Sequence, residues 1–236
     1  MAHRFFSDTP ITSKEIVLGE SEARHLAQVM RKQSGEQVIV FDGSGVDFLA
    51  TIQTVDRKTV ELIVDQRLEI NRELPFDMVL AVALPKGDRQ TWMVQKLVEL
   101  GATRLVPLVS ERGVAQPTGK AIERLKRHVI EASKQCERNV LMDISPPVTI
   151  EGLGEQVPAT FRRYVAHVTS KPNFGQPTPQ NVAFAVGPEG GFTDNEVDFL
   201  ANSGWTELHL GQRILRVETA AMSLASWWGI SHCMNG

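Results

Sequence analysis

Gly187-Pro188-Glu189-Gly190-Gly191-Phe192-Thr193-Asp194-Asn195-Glu196 joins an apolar run, Val182 to Val186, to a helix-start signal. Thr193 and Glu196 have the capping-box spacing, in which a hydroxyl and a carboxylate each satisfy an orphan backbone N–H. The order is therefore strand, Gly/Pro turn, helix. In α/β proteins, ligands bind in loops at the carboxyl ends of strands. Three glycines and a proline there make a fixed turn whose backbone a ligand can approach closely. Read alone, the stretch is equally well a plain connecting turn.

A second stretch alters that balance. Leu210-Gly211-Gln212-Arg213-Ile214-Leu215-Arg216-Val217-Glu218-Thr219-Ala220-Ala221 again sits where a short strand, Glu207 to Leu210, gives way to a helix, Val217 to His232. Gly211 permits close backbone approach. Arg213 and Arg216 flank apolar Ile214 and Leu215. Glu218 and Thr219 begin the helix, where a negative charge or hydroxyl suits the dipole. The plain reading leaves Glu218 a cap and the two arginines surface charges.

Working outward, the second part of the chain alternates strands and helices. Met78 to Leu84 is a continuous apolar run, the mark of a buried parallel strand. Pro85-Lys86-Gly87-Asp88 is a loop with Asp88 as N-cap candidate, and a helix follows to about Leu100. Arg104 to Val109, Arg163 to Val168 and Asn181 to Val186 read as strands; Thr118 to Glu137 and Thr193 to Asn202 read as helices. Pro172 to Pro179 reads as a loop. This alternation implies a parallel sheet covered on both faces. Residues 1–70 read differently, as short strands (Gln37 to Phe41, Asp47 to Val55, Thr59 to Asp65) with one helix between Glu20 and Lys32. They suggest a small barrel, with a boundary near Asn71 to Pro75.

The composition, 42% hydrophobic and 22% charged over 236 residues, is that of a globular protein. No apolar run is long enough to span a membrane and the N-terminus has no apolar h-region, so a cytoplasmic location is expected. Cys136 and Cys233 are isolated, which fits a reducing compartment and gives no metal-ligand spacing; no metal is expected. The net charge of -3 conceals a division: residues 1–70 carry 8 Lys/Arg and 11 Asp/Glu, residues 71–145 carry 12 and 9, and residues 146–236 carry 5 and 8. The basic excess (Arg112, Lys120, Arg124, Lys126, Arg127, Lys134, Arg138) is either a phosphate-contacting surface or a solvated helix face.

The dinucleotide fingerprint, the P-loop, H-E-x-x-H and G-x-S-x-G are all absent from the sequence. What remains is group transfer by positioning a reactive donor against an acceptor.

The two glycine motifs together resemble the paired signature of the ribosomal RNA small-subunit methyltransferase E family, of the SPOUT class. The likeness covers nearly the whole chain. Arg4-Phe5-Phe6 and the pattern through Phe41-Asp42-Gly43 resemble the family's PUA-like barrel. Gln95 to Gly101, Ser110-Glu111-Arg112 and Glu131 to Arg138 resemble elements of its α/β part. Gln212 and Val217 depart from the usual proline and threonine.

The resemblance implies a PUA-like, RNA-binding β-barrel over residues 1–72 and an α/β methyltransferase domain with a trefoil knot over 73–236. Sequence rules alone do not suggest a knot, since knots are nearly absent from folds. It implies transfer of a methyl group from S-adenosyl-L-methionine to N3 of a uridine in small-subunit (16S) rRNA. The donor would be held by His167, Gly187, Gly191, Leu210, Gly211, Ile214 and Leu215. Arg216 would stabilise charge on the uracil, and Glu189 or Glu218 would accept its proton, though each glutamate also has a plain structural reading. Arg4, Arg112 and Arg138 would contact RNA. A homodimer is implied, acting on free rRNA or the assembled subunit. The competing readings are a non-catalytic RNA-binding or ribosome-assembly module and, further off, a small-molecule α/β enzyme.

Overall fold

The computed structural model describes residues 3–114, 118–168 and 177–233, with residues 232 and 233 described by backbone alone. Part of the loop expected at Pro172 to Pro179 lies outside them. Contacts divide the chain into two units: Met1–Glu73 with Ile130–Leu141, and Leu74–Val129 with Met142–Gly236.

The first unit is built on five strands: β1 (Arg4–Phe6), β2 (Glu15–Leu18), β3 (Gln37–Phe41), β4 (Asp47–Val55) and β5 (Val60–Leu68). Their order is β1-β3-β4-β5-β2, antiparallel except for the β1–β3 pair. Alternation puts Val38 and Val40, Ala50 and Ile52, and Val60 and Leu62 on one buried face with Phe5, Ile16 and Leu18. Register shifts at Leu49/Ala50 and Ile52/Thr54 bend β4, as bulges do.

The helix expected over Glu20 to Lys32 divides in two. Glu20–Arg24 (α1) is α-helical and His25–Val29 winds more widely as a π-helix, ending before Arg31 at φ 52°. The turn after β3 holds Asp42. Burial works against its ionisation, but backbone N–H groups of Ile11 and Ser44 donate to it and hold its carboxyl below the usual range.

Ion pairs knit this unit together. The Asp47 carboxylate is 1% exposed. It accepts both terminal nitrogens of Arg4 at 2.9 and 2.8 Å and Nη1 of Arg72 at 3.2 Å. Arg4 also lies 4.9 Å from the Phe41 ring centre. Arg72 reaches on to Glu137 at 3.0 Å, Arg138 grips Glu73 through two nitrogens, and Lys134 donates to Glu22 at 2.7 Å. Residues 130–141 join this unit through those side chains and through Asn139, whose amide donates to the Ile70 carbonyl at 3.0 Å.

The second unit is a parallel sheet: β6 (Met78–Val82), β7 (Arg104–Val109), β8 (Asp143–Ile144), β9 (Val148–Thr149), β10 (Arg162–Ala166), β11 (Val182–Val186) and β12 (Thr206–Leu208). The order is β12-β10-β11-β6-β7-β8, with β9 also on β7, and every pairing is parallel. β6 and β11 are buried at every residue, as strands covered on both faces must be.

One face (Val79, Ala81, Ala183, Ala185) packs on Leu153 of α4 (Leu153–Gln156) and on Val197 and Leu200 of α5 (Asp194–Asn202). The other carries α2 (Asp88–Glu99) and α6 (Val217–Cys233). Between α2 and β7 the chain turns at Gly101, and α3 (Gly119–Cys136) follows β7.

The apolar last helix mostly serves the core. Trp228 is 1% exposed, donates to the Gln180 carbonyl at 3.2 Å, and meets Phe184 edge-on at 5.9 Å. Gly87, not Asp88, caps α2, with φ 67°, so Asp88 becomes the first helical residue.

Removing the Asp47 carboxylate would leave the buried Arg4 guanidinium unpaired. Asp47→Ala is therefore expected to lower stability by about 3–5 kcal/mol in urea unfolding, whereas a loss under about 1 kcal/mol would mean that the network carries little of the fold.

Candidate functional site

The parallel strands β10, β11 and β12 end side by side, and the segments that follow them enclose a cavity of about 220 Å³. That is just below the roughly 300–1,000 Å³ of common small-molecule clefts. Its walls are Ala166 to Val168, the turn Val186 to Phe192, Leu210 to Leu215 except Gln212, and Val217 with Ala220 of α6. Two apolar side chains of this wall face solvent, Ile214 (84% exposed) and Val168 (59%).

The turn is held rigidly. Thr193 caps α5: its hydroxyl accepts from the Glu196 N–H at 3.3 Å, and the Glu196 carboxylate accepts from the Thr193 N–H at 2.7 Å. The other Glu196 oxygen accepts from the Glu111 N–H at 2.9 Å. Phe192 is 4% exposed and lies under Gly187, where an added Cβ would sit 3.0 Å from the Phe192 nitrogen and 3.1 Å from its ring. Gly191 and Gly211 have φ of 71° and 100°, the left-handed region. Nothing crowds Gly211, so its backbone conformation, not a close contact within the chain, is what calls for glycine.

All seven residues assigned by resemblance to the donor (His167, Gly187, Gly191, Leu210, Gly211, Ile214 and Leu215) line this one cavity. His167 follows β10; its N–H donates to the Leu208 carbonyl at 3.0 Å, and Nδ1 lies 3.2 Å from Glu207.

The three catalytic candidates are distributed unequally. Glu189 lines the cavity; Arg216 and Glu218 are not among its lining residues. Arg216 is exposed, and its carbonyl accepts the Ala220 N–H in the first turn of α6. Glu218 is buried, with one carboxylate oxygen lacking a hydrogen-bond donor among the described residues.

The three arginines expected on RNA take other places. Arg4 and Arg138 are buried (side chains 6% and 5% exposed) in the carboxylate pairs of the first unit, where a bound phosphate would have to displace Asp47 or Glu73. Arg112 stays largely exposed, but its Nη1 donates to the Gly190 carbonyl at 3.1 Å and is 3.4 Å from that of Phe192. It braces the turn from outside. Sequence reading passed over Arg89, which lies 3.0 Å from Glu189 and 3.7 Å from Glu218. Its position at a helix start carries no motif that would mark it.

Residues 72–229 match the model of an RNA methyltransferase domain, and residues 18–65 that of an RNA methyltransferase PUA domain. A ribosomal RNA small subunit methyltransferase E of Synechocystis is 33% identical over 228 residues, 93% of this chain and 75% of that protein. The chain belongs to the ribosomal RNA small subunit methyltransferase E family.

The methyltransferase E of Bacillus subtilis is 30% identical over 220 residues, 87% of this chain and 86% of its own. The solved methyltransferase E of Neisseria gonorrhoeae, bound to S-adenosyl methionine, is 26% identical with a TM-score of 0.87 and covers 96% of both chains. A Legionella pneumophila protein solved with bound cofactor SAM is 29% identical, TM-score 0.88, covering 99% of this chain and 98% of that one. These matches span both units, so the methyltransferase E fold belongs to the whole chain and the cavity described above lies within its methyltransferase domain.

In this family member the turn's glycines differ in what they tolerate. Gly187→Ala must displace Phe192 and is expected to cost about 1–3 kcal/mol in urea unfolding. Gly190→Ala, whose Cβ would stand 3.5 Å from the Arg112 side chain, is expected to stay within about 0.5 kcal/mol. Equal costs would mean that the Phe192 contact does not set the turn.

Proposed function

We propose that this chain methylates N3 of a uridine in small-subunit (16S) rRNA with S-adenosyl-L-methionine as donor. The observation that carries the reading is the convergence of both glycine motifs on one cavity at the ends of parallel strands. Its donor set suits the ligand. Backbone groups of a glycine turn can read an adenine edge, Leu210, Ile214 and Leu215 supply apolar walls, and no phosphate-binding loop is present. Two relatives of the same fold are known with that molecule bound.

When bound, the donor supplies an electrophilic methyl group on its sulfonium. The chain's own task is then to orient the donor, exclude water and manage the proton on uracil N3. The turn Gly187 to Gly191 and the segment Leu210 to Leu215 would hold the adenosyl part. His167 contributes from the end of β10, its ring oriented by Glu207. Arg216, exposed and between the lining residues Leu215 and Val217 in the chain, would stabilise negative charge on the uracil oxygens as N3 loses its proton. Of the two glutamates, Glu189 is the acceptor we favour, because it lines the cavity and Glu218 does not. Three further readings travel with the family resemblance: a trefoil knot around the donor, a homodimer and a cytoplasmic location. The first unit would dock rRNA, either free or in the assembled subunit, through surface cations other than Arg4 and Arg138.

Arg216→Ala is expected to slow methyl transfer by about 100-fold or more while changing donor affinity less than about two-fold by calorimetry. Equal losses in both would remove its charge-stabilising role.

A methyl group on N3 blocks the Watson–Crick edge. Reverse transcription across small-subunit rRNA should therefore stop strongly at one uridine in cells with the protein and read through in cells lacking it. Identical traces would exclude the N3 assignment. A protein that binds rRNA but gives no calorimetric signal with S-adenosyl-L-methionine would be an assembly module.

A further inference from the structure

Between the two glycine motifs stands one guanidinium. Arg89, in the first turn of α2, places Nη2 3.0 Å from Oε1 of Glu189 and Nη1 3.7 Å from Oε2 of Glu218. Glu189 belongs to the turn after β11 and Glu218 to the start of α6, so the elements following three different strands meet on one side chain. The two carboxylates are unequal: Glu189 is 44% exposed and Glu218 is 6% exposed. The Glu218 oxygen nearest Arg89 is fully buried and has no hydrogen-bond donor among the described residues. A buried carboxylate oxygen in that condition costs free energy unless a cation stands beside it, and Arg89 is the cation the structure provides there.

We propose that Arg89 is a positioning residue that ties Glu189 to Glu218 and so fixes the two loops of the donor pocket against each other. The inference rests on the donor-pocket reading above. Arg89 itself is not among the cavity's lining residues; it acts through Glu189, which is. A guanidinium suits this task because its fork presents separate nitrogens to separate carboxylates. With Arg89 removed, Glu189 loses its tether and the buried Glu218 loses its counter-charge, while Arg112 and the α5 cap still hold the rest of the turn.

The test is a double-mutant cycle of Arg89→Ala and Glu189→Gln, with Arg89→Lys as rescue, read with S-adenosyl-L-methionine itself by calorimetry. Arg89→Ala should weaken donor binding about ten-fold in the wild-type background and less than about two-fold in the Glu189→Gln background. Arg89→Lys, which keeps the charge, should recover part of the affinity. Single-turnover methyl transfer at saturating donor should slow as well in Arg89→Ala, since Glu189, the acceptor favoured above, loses the contact that sets its direction. The same cycle in urea unfolding reads the link without ligand and shows whether each variant folds. Additive losses, or unchanged donor affinity in a folded Arg89→Ala protein, would overturn the proposal. A wild-type chain that fails to bind the donor would instead overturn the pocket reading on which it rests.

Discussion

The carboxylate of Glu196 governs the site more than any group inside it. One oxygen closes the capping box with Thr193 and the other accepts from the Glu111 backbone, so the start of α5 is pinned to the segment after β7. At its other end the turn is fixed by β11, which pairs with β10 and β6 over its full length. Glycine-rich segments lose much conformational entropy on ordering. Here both ends are immobilised by groups that do not face the cavity, and Phe192 fills the space beneath. The backbone of Gly187 to Gly191 is thereby held along the cavity wall, with Pro188 and Glu189 beside it. Arg112 adds a brace at the Gly190 carbonyl from the outer side.

Charge is used in two different ways in this chain. In the first unit Arg4, Arg72 and Arg138 saturate Asp47, Glu137 and Glu73, and the pairs are mostly buried. Such pairs contribute modestly to net stability, because desolvation offsets their attraction, but breaking one partner is costly. They specify how residues 130–141 join the curled sheet. Around the cavity the pattern is reversed: Arg213 and Arg216 are exposed, and among the described residues no ion pair holds them. A cation that is to meet a ligand has to be left free of strong internal partners, and Arg216 meets that condition for the role proposed above.

Much of this was legible in the sequence because it is written in local chemistry. The strands Gln37–Phe41, Asp47–Val55 and Arg104–Val109 follow directly from apolar and alternating runs. The α5 start follows from Thr193 and Glu196, whose interaction spans one turn. The donor-pocket residues came from resemblance rather than from periodicity, and their convergence depends on a parallel sheet that brings residues some forty positions apart together. What escaped was non-local or too short to carry a period. Arg4–Phe6 and Glu15–Leu18 are strands because β3 and β5 supply partners. Asp143–Ile144 and Val148–Thr149 have two residues each and are strands only by pairing with β7. The π-helical widening at His25–Val29 has no sequence mark. The burial of Arg4 and Arg138 depends on Asp47 and Glu73, 43 and 65 positions away. Charged residues read from sequence default to the surface, and only the fold reveals which ones have found a carboxylate.

The same distinction bears on the proton acceptor. A general base must meet the proton it removes and then release it, so access precedes acidity as a criterion. Glu218 is enclosed at the start of α6, and its buried oxygen faces Arg89 rather than the cavity wall. Glu189 borders the cavity and is open to solvent. Arg89 engages only its Oε1, which leaves Oε2 without a protein partner among the described residues. One oxygen tethered and one available is the arrangement a fixed acceptor requires: under the proposed mechanism the tether would set direction and the untethered oxygen would receive the proton. Glu218 would then be the buried anchor that holds Arg89, and through it Glu189, in place.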